Sequence, residues 1–321
     1  MRDRFLPEFD WQTVFIQPWM EFGSNSLWIV LMGFLVSCAC GLVGCFVILR
    51  RMALVGDAIS HSLLPGIALA FLLTQSRATL PMMLGAMAAG ILTVALIEAI
   101  RFSSRVKPDA AIGIVFSSLF AFGVILISLF ADKVDLDAEC VLYGELGFIP
   151  LQEIASFAGY DIGPEPVIRM AIITLVAIGL ILAFFKELLV TSFDSGLAAS
   201  LGINPTRYHY GLTLFLSIVI VSSFESVGVV LVIAMIIFPG ATALMLTDRL
   251  SSALWMSVVF SLLYAILGFH LATWLDASIA GGMTVIAGIL FGAAWIFAPR
   301  RGLIWKAVQR KPNHLDDPEF A

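Results

Sequence analysis

The sequence predicts an all-helical protein that crosses a membrane about eight or nine times. Two observations carry that reading. Of 321 residues, 60% are hydrophobic and only 13% are charged, about half the charged share of a typical soluble domain. The apolar residues also run in blocks near the ~20 residues that a helix needs to cross a ~30 Å hydrocarbon core. A third observation orients the chain. With the N-terminus outside, thirteen of the 18 Lys and Arg residues fall in segments on the inner side, among them Arg50, Arg51, Arg101, Arg105, Lys107, Arg207 and Arg249. The inner side of such proteins is the basic one.

The elements follow in order. Residues 1–26 mix acids, arginines and aromatics (Phe5, Phe9, Trp11, Phe15, Trp19) and read as an interfacial segment rather than a cleaved leader. Nine spans are predicted over 27–49, 53–73, 81–100, 110–131, 167–186, 208–224, 226–247, 253–272 and 279–298, within a membrane domain of 27–299. The sixth and seventh are almost continuous, divided only at Glu225. Residues 300–321 form a charged inner tail. Cys38, Cys40 and Cys45 lie in the first span as small apolar residues, and Cys140 stands alone in a loop, so no disulfide framework is implied. The small-residue pairs Gly85/Ala89, Ala86/Gly90 and Gly288/Gly292 predict close helix approach. The 132–166 loop is acidic and offers a face for a cationic ligand or its carrier, or simply a solvated loop.

Charge inside the spans is rare and expensive, which marks Asp57 and His61. Four residues apart, they share one helix face. His61 lies roughly 15 Å beyond Arg51, about half the depth of the hydrocarbon core. A carboxylate with an imidazole suits Mn(II), Fe(II) or Zn(II), whereas Cu(I) calls for thiolates. A packing hydrogen bond and a proton relay are the other readings of the pair. Pro65 and Gly66 can bend the helix beside it. Glu225, His270 and Asp276 read first as interfacial residues, with Glu225 and His270 as secondary metal-ligand candidates; His209 reads as interfacial, and His314 lies in the tail.

Between the fifth and sixth spans, residues 193–204 carry helix-cap signals. Ser192 or Asp194 can cap the N-terminus, Gly202 can end the helix left-handed, and Pro205 blocks continuation. Leu197, Ala198 and Leu201 make a small apolar face suited to a groove on an inner partner.

Five stretches together resemble the bacterial metal ABC permeases: RRMALVGDAISHSLLPGIALAFLL (50–73), RVKPDAAIGIVFSSLFAFGVILIS (105–128), CVLYGEL (140–146), the Asp194–Gly202 helix and FESVGVVLVIAMIIFPGATALML (224–246). They occur in order over about 45–300. The resemblance implies the all-helical importer fold shared with cobalamin and siderophore transporters. It implies a second permease copy or paralogue, a cytoplasmic ABC ATPase dimer, an extracytoplasmic metal-binding protein, and a place in the bacterial inner membrane. It maps the transported divalent metal onto Asp57 and His61, and ATPase coupling onto Asp194, Leu197, Ala198, Leu201 and Gly202. No permanently bound cofactor and no nucleic acid partner are expected. The sequence has no Walker-type phosphate loop, so ATP hydrolysis belongs to another subunit. The alternative is a proton-coupled secondary metal transporter using Asp57 and His61 as its relay.

Overall fold

The computed structural model describes residues 7, 9–76, 78–130, 146–157, 160–299 and 302–305. A short π-helical turn (Gln12–Ile16) and α1 (Gln17–Glu21) precede the long helices α2 (Gly23–Leu49), α3 (Ala53–Thr74), α4 (Thr79–Ser103) and α5 (Pro108–Leu129). After a 3-10 turn (Leu146–Leu151), β1 (Ile154–Phe157) pairs antiparallel with β2 (Tyr160–Pro164). Helices α6 (Glu165–Ala183), α7 (Phe185–Phe193), α8 (Ser195–Ser200), α9 (Pro205–Leu246), α10 (Leu250–Leu275) and α11 (Ile279–Phe297) complete the chain. Eight helices among the described residues are long and apolar enough to cross a membrane.

Helix α2 is the axis of the bundle. Of its most apolar stretch 83% is buried, against 22% for the peripheral α5. Small residues make this possible. A β-carbon on Gly44 would fall on the backbone carbonyl of Ile236 in α9, and one on Gly41 would meet Pro239. Cys38, Cys40 and Cys45 are buried in the same surface as free thiols. Gly44→Ala is therefore expected to cost about 1–3 kcal/mol by overpacking. Gly113→Ala, where nothing lies within 4 Å, should be neutral or better. Thermal unfolding in detergent compares the two, and equal midpoints would contradict the close α2–α9 contact.

Two predicted spans, 208–224 and 226–247, are the halves of the single assigned helix α9, 42 residues long. Its backbone breaks three residues after Glu225, at Gly228, with φ 76° and ψ 167°, a conformation reserved for glycine. The break is a fold-back. Ser223 lies beside Cys40 and Ile236 beside Gly44. A straight helix would hold Ser223 and Ile236 about 20 Å apart, whereas Cys40 and Gly44 are one turn, about 6 Å, apart on α2. Both halves thus pass the same level of α2. The second half, Ser226–Leu246, is the one among the eight apolar helices. For Glu225 the backbone alone is described, and the site predicted for its side chain lies outside the described residues.

Packing of α3 on α4 uses the predicted small residues. A β-carbon on Gly66 would strike the Gly85 carbonyl and Ala89, and the Ser62 and Thr93 hydroxyls meet at 2.5 Å. The Gly288/Gly292 pair does not work this way within the chain: Gly292 has nothing within 4 Å and Gly288 only the tip of Phe238. Of the predicted acidic loop, Glu153, Asp161 and Glu165 fall in or beside the β-hairpin, while 131–145, with Cys140, lie outside the described residues, as does His314.

Candidate functional site

Asp57 and His61 stand on α3, which begins at Ala53 directly after the Arg50–Met52 turn. His61 Nε2 lies 3.4 Å from Asp57 Oδ1. The side chains are 28% and 41% exposed, so this face of α3 is not covered by the rest of the chain. Phe116 and Phe120, one turn apart on α5, wall the imidazole at ring distances of 5.2 and 5.9 Å. Helix α3 continues through Pro65. Proline has no N–H, so the helical hydrogen bond that the His61 carbonyl would accept from residue 65 is not made. A carboxylate oxygen, an imidazole nitrogen and a released carbonyl therefore occur within two turns.

The 3.4 Å separation suits a shared cation. Two metal bonds of about 2.1 Å meeting at the tetrahedral angle span about 3.4 Å, and about 3.0 Å at a right angle. No cluster of three or more His, Cys, Asp or Glu is found among the described residues. Among the described residues the pair therefore offers two side-chain donors and no closed cage.

The other candidates are placed differently. His270 is buried on α10 with both ring nitrogens engaged: Nδ1 is 2.9 Å from the Val14 carbonyl and donates to it, and Nε2 accepts from the Trp19 indole at 3.4 Å. Phe15 lies over the same ring at 4.6 Å. His270 ties the N-terminal segment down, which leaves neither nitrogen free for a metal. Phe15 and Trp19 accordingly turn onto α10, and Phe9 meets Trp274 there edge-on at 5.5 Å, although Phe9 and Trp11 both stay more than half exposed. Asp276 is an exposed left-handed cap of α10. His209, expected at an interface, stands 2.9 Å from Glu98 Oε1 on α4. Sequence reasoning missed Glu98, although a carboxylate in a predicted span was the available signal.

Residues 193–204 form the predicted capped helix in shortened form, α8. Asp194 is the N-cap, its Oδ1 accepting from Gly196 and Leu197 N–H at 2.9 Å each. The C-terminus closes with Gly202 at φ 77°. Ile203 N–H reaches the Ala198 carbonyl and Gly202 N–H the Ala199 carbonyl, a Schellman cap. Asn204 then caps α9 with Pro205 in its first turn. The expected single apolar face is split. Ala198 is fully buried against the rest of the chain, while Leu197 (50%) and Leu201 (61%) point outward, joined by exposed Phe193. Four-residue spacing puts the two leucines on one side, and 197→198 turns by about 100°.

A bundle with eight helices long and apolar enough to cross a membrane among the described residues is that of a polytopic membrane protein. A model described as the ABC 3 transport family matches residues 24–298. The chain belongs to that family and is a membrane permease subunit of an ABC transport system. It is 44% identical over 286 residues to the manganese transport system membrane protein MntD of Bacillus subtilis, covering 89% of this chain and 96% of that one. It is 42% identical over 288 residues to the zinc transport system membrane protein TroD of Treponema pallidum, covering 90% and 78%. Among solved structures, PsaBC from Streptococcus pneumoniae in complex with Fab superposes with a TM-score of 0.74 at 31% identity, covering 93% of this chain and 99% of that one. A metal-chelate type ABC transporter in an inward-facing conformation shares the fold at a TM-score of 0.60 and 17% identity, with 91% and 90% covered.

Proposed function

We propose that this chain is the permease subunit of an ATP-driven importer of divalent transition metal ions, manganese, zinc or iron(II), in which the ion passes between Asp57 and His61. The observation that carries the reading is the 3.4 Å pair on an uncovered face of α3. Two donors hold a hydrated ion loosely, which suits passage; water, the His61 carbonyl or the matching face of a second permease copy supplies the rest. The names of the relatives, which include manganese, zinc and iron transport proteins, support the cargo class. The Arg50 side is the cytoplasmic one, by the excess of Lys and Arg, and the β-hairpin side faces outward in the inner membrane, where a metal-binding protein delivers the ion. On the cytoplasmic side α8 presents Leu197 and Leu201 to an ABC ATPase dimer.

The test is reconstitution. The permease with its ATPase and binding protein is placed in vesicles, and radioactive Mn(II) and Zn(II) uptake is followed with ATP or with a pH gradient alone. Uptake is expected only with ATP. Uptake driven by the pH gradient, without ATP, would instead identify a proton-coupled carrier with Asp57 and His61 as its relay.

A further inference from the structure

Helix α8 is joined by the chain to α7 and α9, yet the Asp57/His61 pair stands on α3, which follows neither. Movement of α8 needs a physical connection to α3. Two polar contacts supply one, on either side of α8. Before it, Arg50 Nε donates to Ser192 Oγ at 3.0 Å and Nη2 to Thr191 Oγ1 at 2.9 Å. Thr191 and Ser192 end α7 and lead directly into α8. Arg50 caps α2, and α3 begins three residues later. After α8, His209 in the first turns of α9 donates to Glu98 Oε1 of α4, which also accepts from Arg101 at 3.3 Å. Helix α4 is interlocked with α3 through Gly66 and Gly85.

The surroundings make these contacts firm. Glu98 is only 5% exposed, and its second oxygen has no partner among the described residues. A buried carboxylate in that position is held by the cations and donors that remain to it, and breaking such a contact is costly. Arg50 is partly buried with two hydroxyl partners among the described residues, and burial holds its guanidinium below the ordinary arginine value. It lies at the C-terminal ends of both α2 and α7, where the helix dipoles favour a cation. Apolar helix faces can slide past one another; a two-pronged guanidinium contact fixes direction as well as distance. The two clasps border one cleft of about 390 Å³, lined also by Arg51, Phe102, Ser195 and Thr206.

We propose that Arg50 and the His209–Glu98 pair are positioning residues that carry the movement of α8 to the α3–α4 unit and so to Asp57 and His61. The inference rests on the proposed docking of an ATPase at α8. It is tested in the reconstituted complex with Arg50→Ala, with the double variant Thr191→Val and Ser192→Ala, which removes the hydroxyls and leaves the arginine, and with His209→Ala. The ATPase is expected to co-purify with each, and ATP hydrolysis to persist, while metal taken up per ATP falls about tenfold. Unchanged uptake per ATP in the hydroxyl double variant and in His209→Ala would overturn the clasps alone. Loss of ATPase co-purification in those variants would overturn them too, because the contacts would then serve docking. An unaltered chain that imports metal without the ATPase removes the docking reading itself, an outcome read on a different sample.

Discussion

Metal uptake is expected to disappear in Asp57→Ala and in His61→Ala while the protein reaches the membrane at its usual level. Each change removes one of the two side-chain donors of the proposed ion path. Loss of an outer partner of a metal ligand commonly costs about 10–100-fold, and loss of a donor from a pair should exceed that. The fold should tolerate both changes, because the Asp57 and His61 side chains are 41% and 28% exposed. Substitutions at such positions usually stay within about 0.5 kcal/mol. Initial rates of radioactive Mn(II) and Zn(II) uptake, in cells without other importers, decide the matter against a quantified membrane fraction. Normal rates at normal protein level would remove both residues from the ion path. Phe116→Ala adds a graded control: it opens the wall beside His61 without deleting a donor, so a smaller loss is expected.

The second large effect is expected at α8. Leu197 and Leu201 stand outward on a helix too short to be stable alone, held by the Asp194 and Gly202 caps. Fully burying a leucine side chain contributes about 1.5–3 kcal/mol; with about half of each side chain still exposed, docking the pair would add about 1.5–3 kcal/mol, and each 1.4 kcal/mol is about tenfold in affinity. Leu197→Asp with Leu201→Asp loses that contribution and adds the cost of burying two carboxylates, so ATPase binding should weaken by more than about tenfold and ATP-driven uptake be abolished. Ala198 is buried against the permease, so a larger residue there should disturb the bundle instead. Co-purification of the ATPase with the double leucine variant measures the first effect, and stoichiometric recovery would show that α8 is not the docking element.

These expectations draw unequally on sequence and structure. The spans were legible because a helix in lipid must satisfy its own backbone hydrogen bonds, so apolar length alone marks it. The Asp57/His61 pairing was legible because helical period places residues i and i+4 on one face. The caps of α8 were legible because Asp194 and Gly202 act on groups within four residues of themselves. Each of these is a local consequence of the chain.

What only the tertiary structure decided depends on which helices become neighbours. His270 could not be assigned from sequence, since its partners Val14 and Trp19 lie more than 250 positions away. Glu98 meets His209 across 111 positions, and Arg50 meets Ser192 across 142. The split of Leu197 and Leu201 from Ala198 required knowing where the bundle lies relative to α8. The fold-back of α9 turned on a single glycine, and a glycine in an apolar run permits a helix to continue or to break; the break lets the second half of α9 fit closely against Gly41 and Gly44 of α2. Pattern along a chain thus determined which segments are helices and which side chains share a face, while packing of backbones across Gly44, Gly66 and Gly85 determined which faces meet.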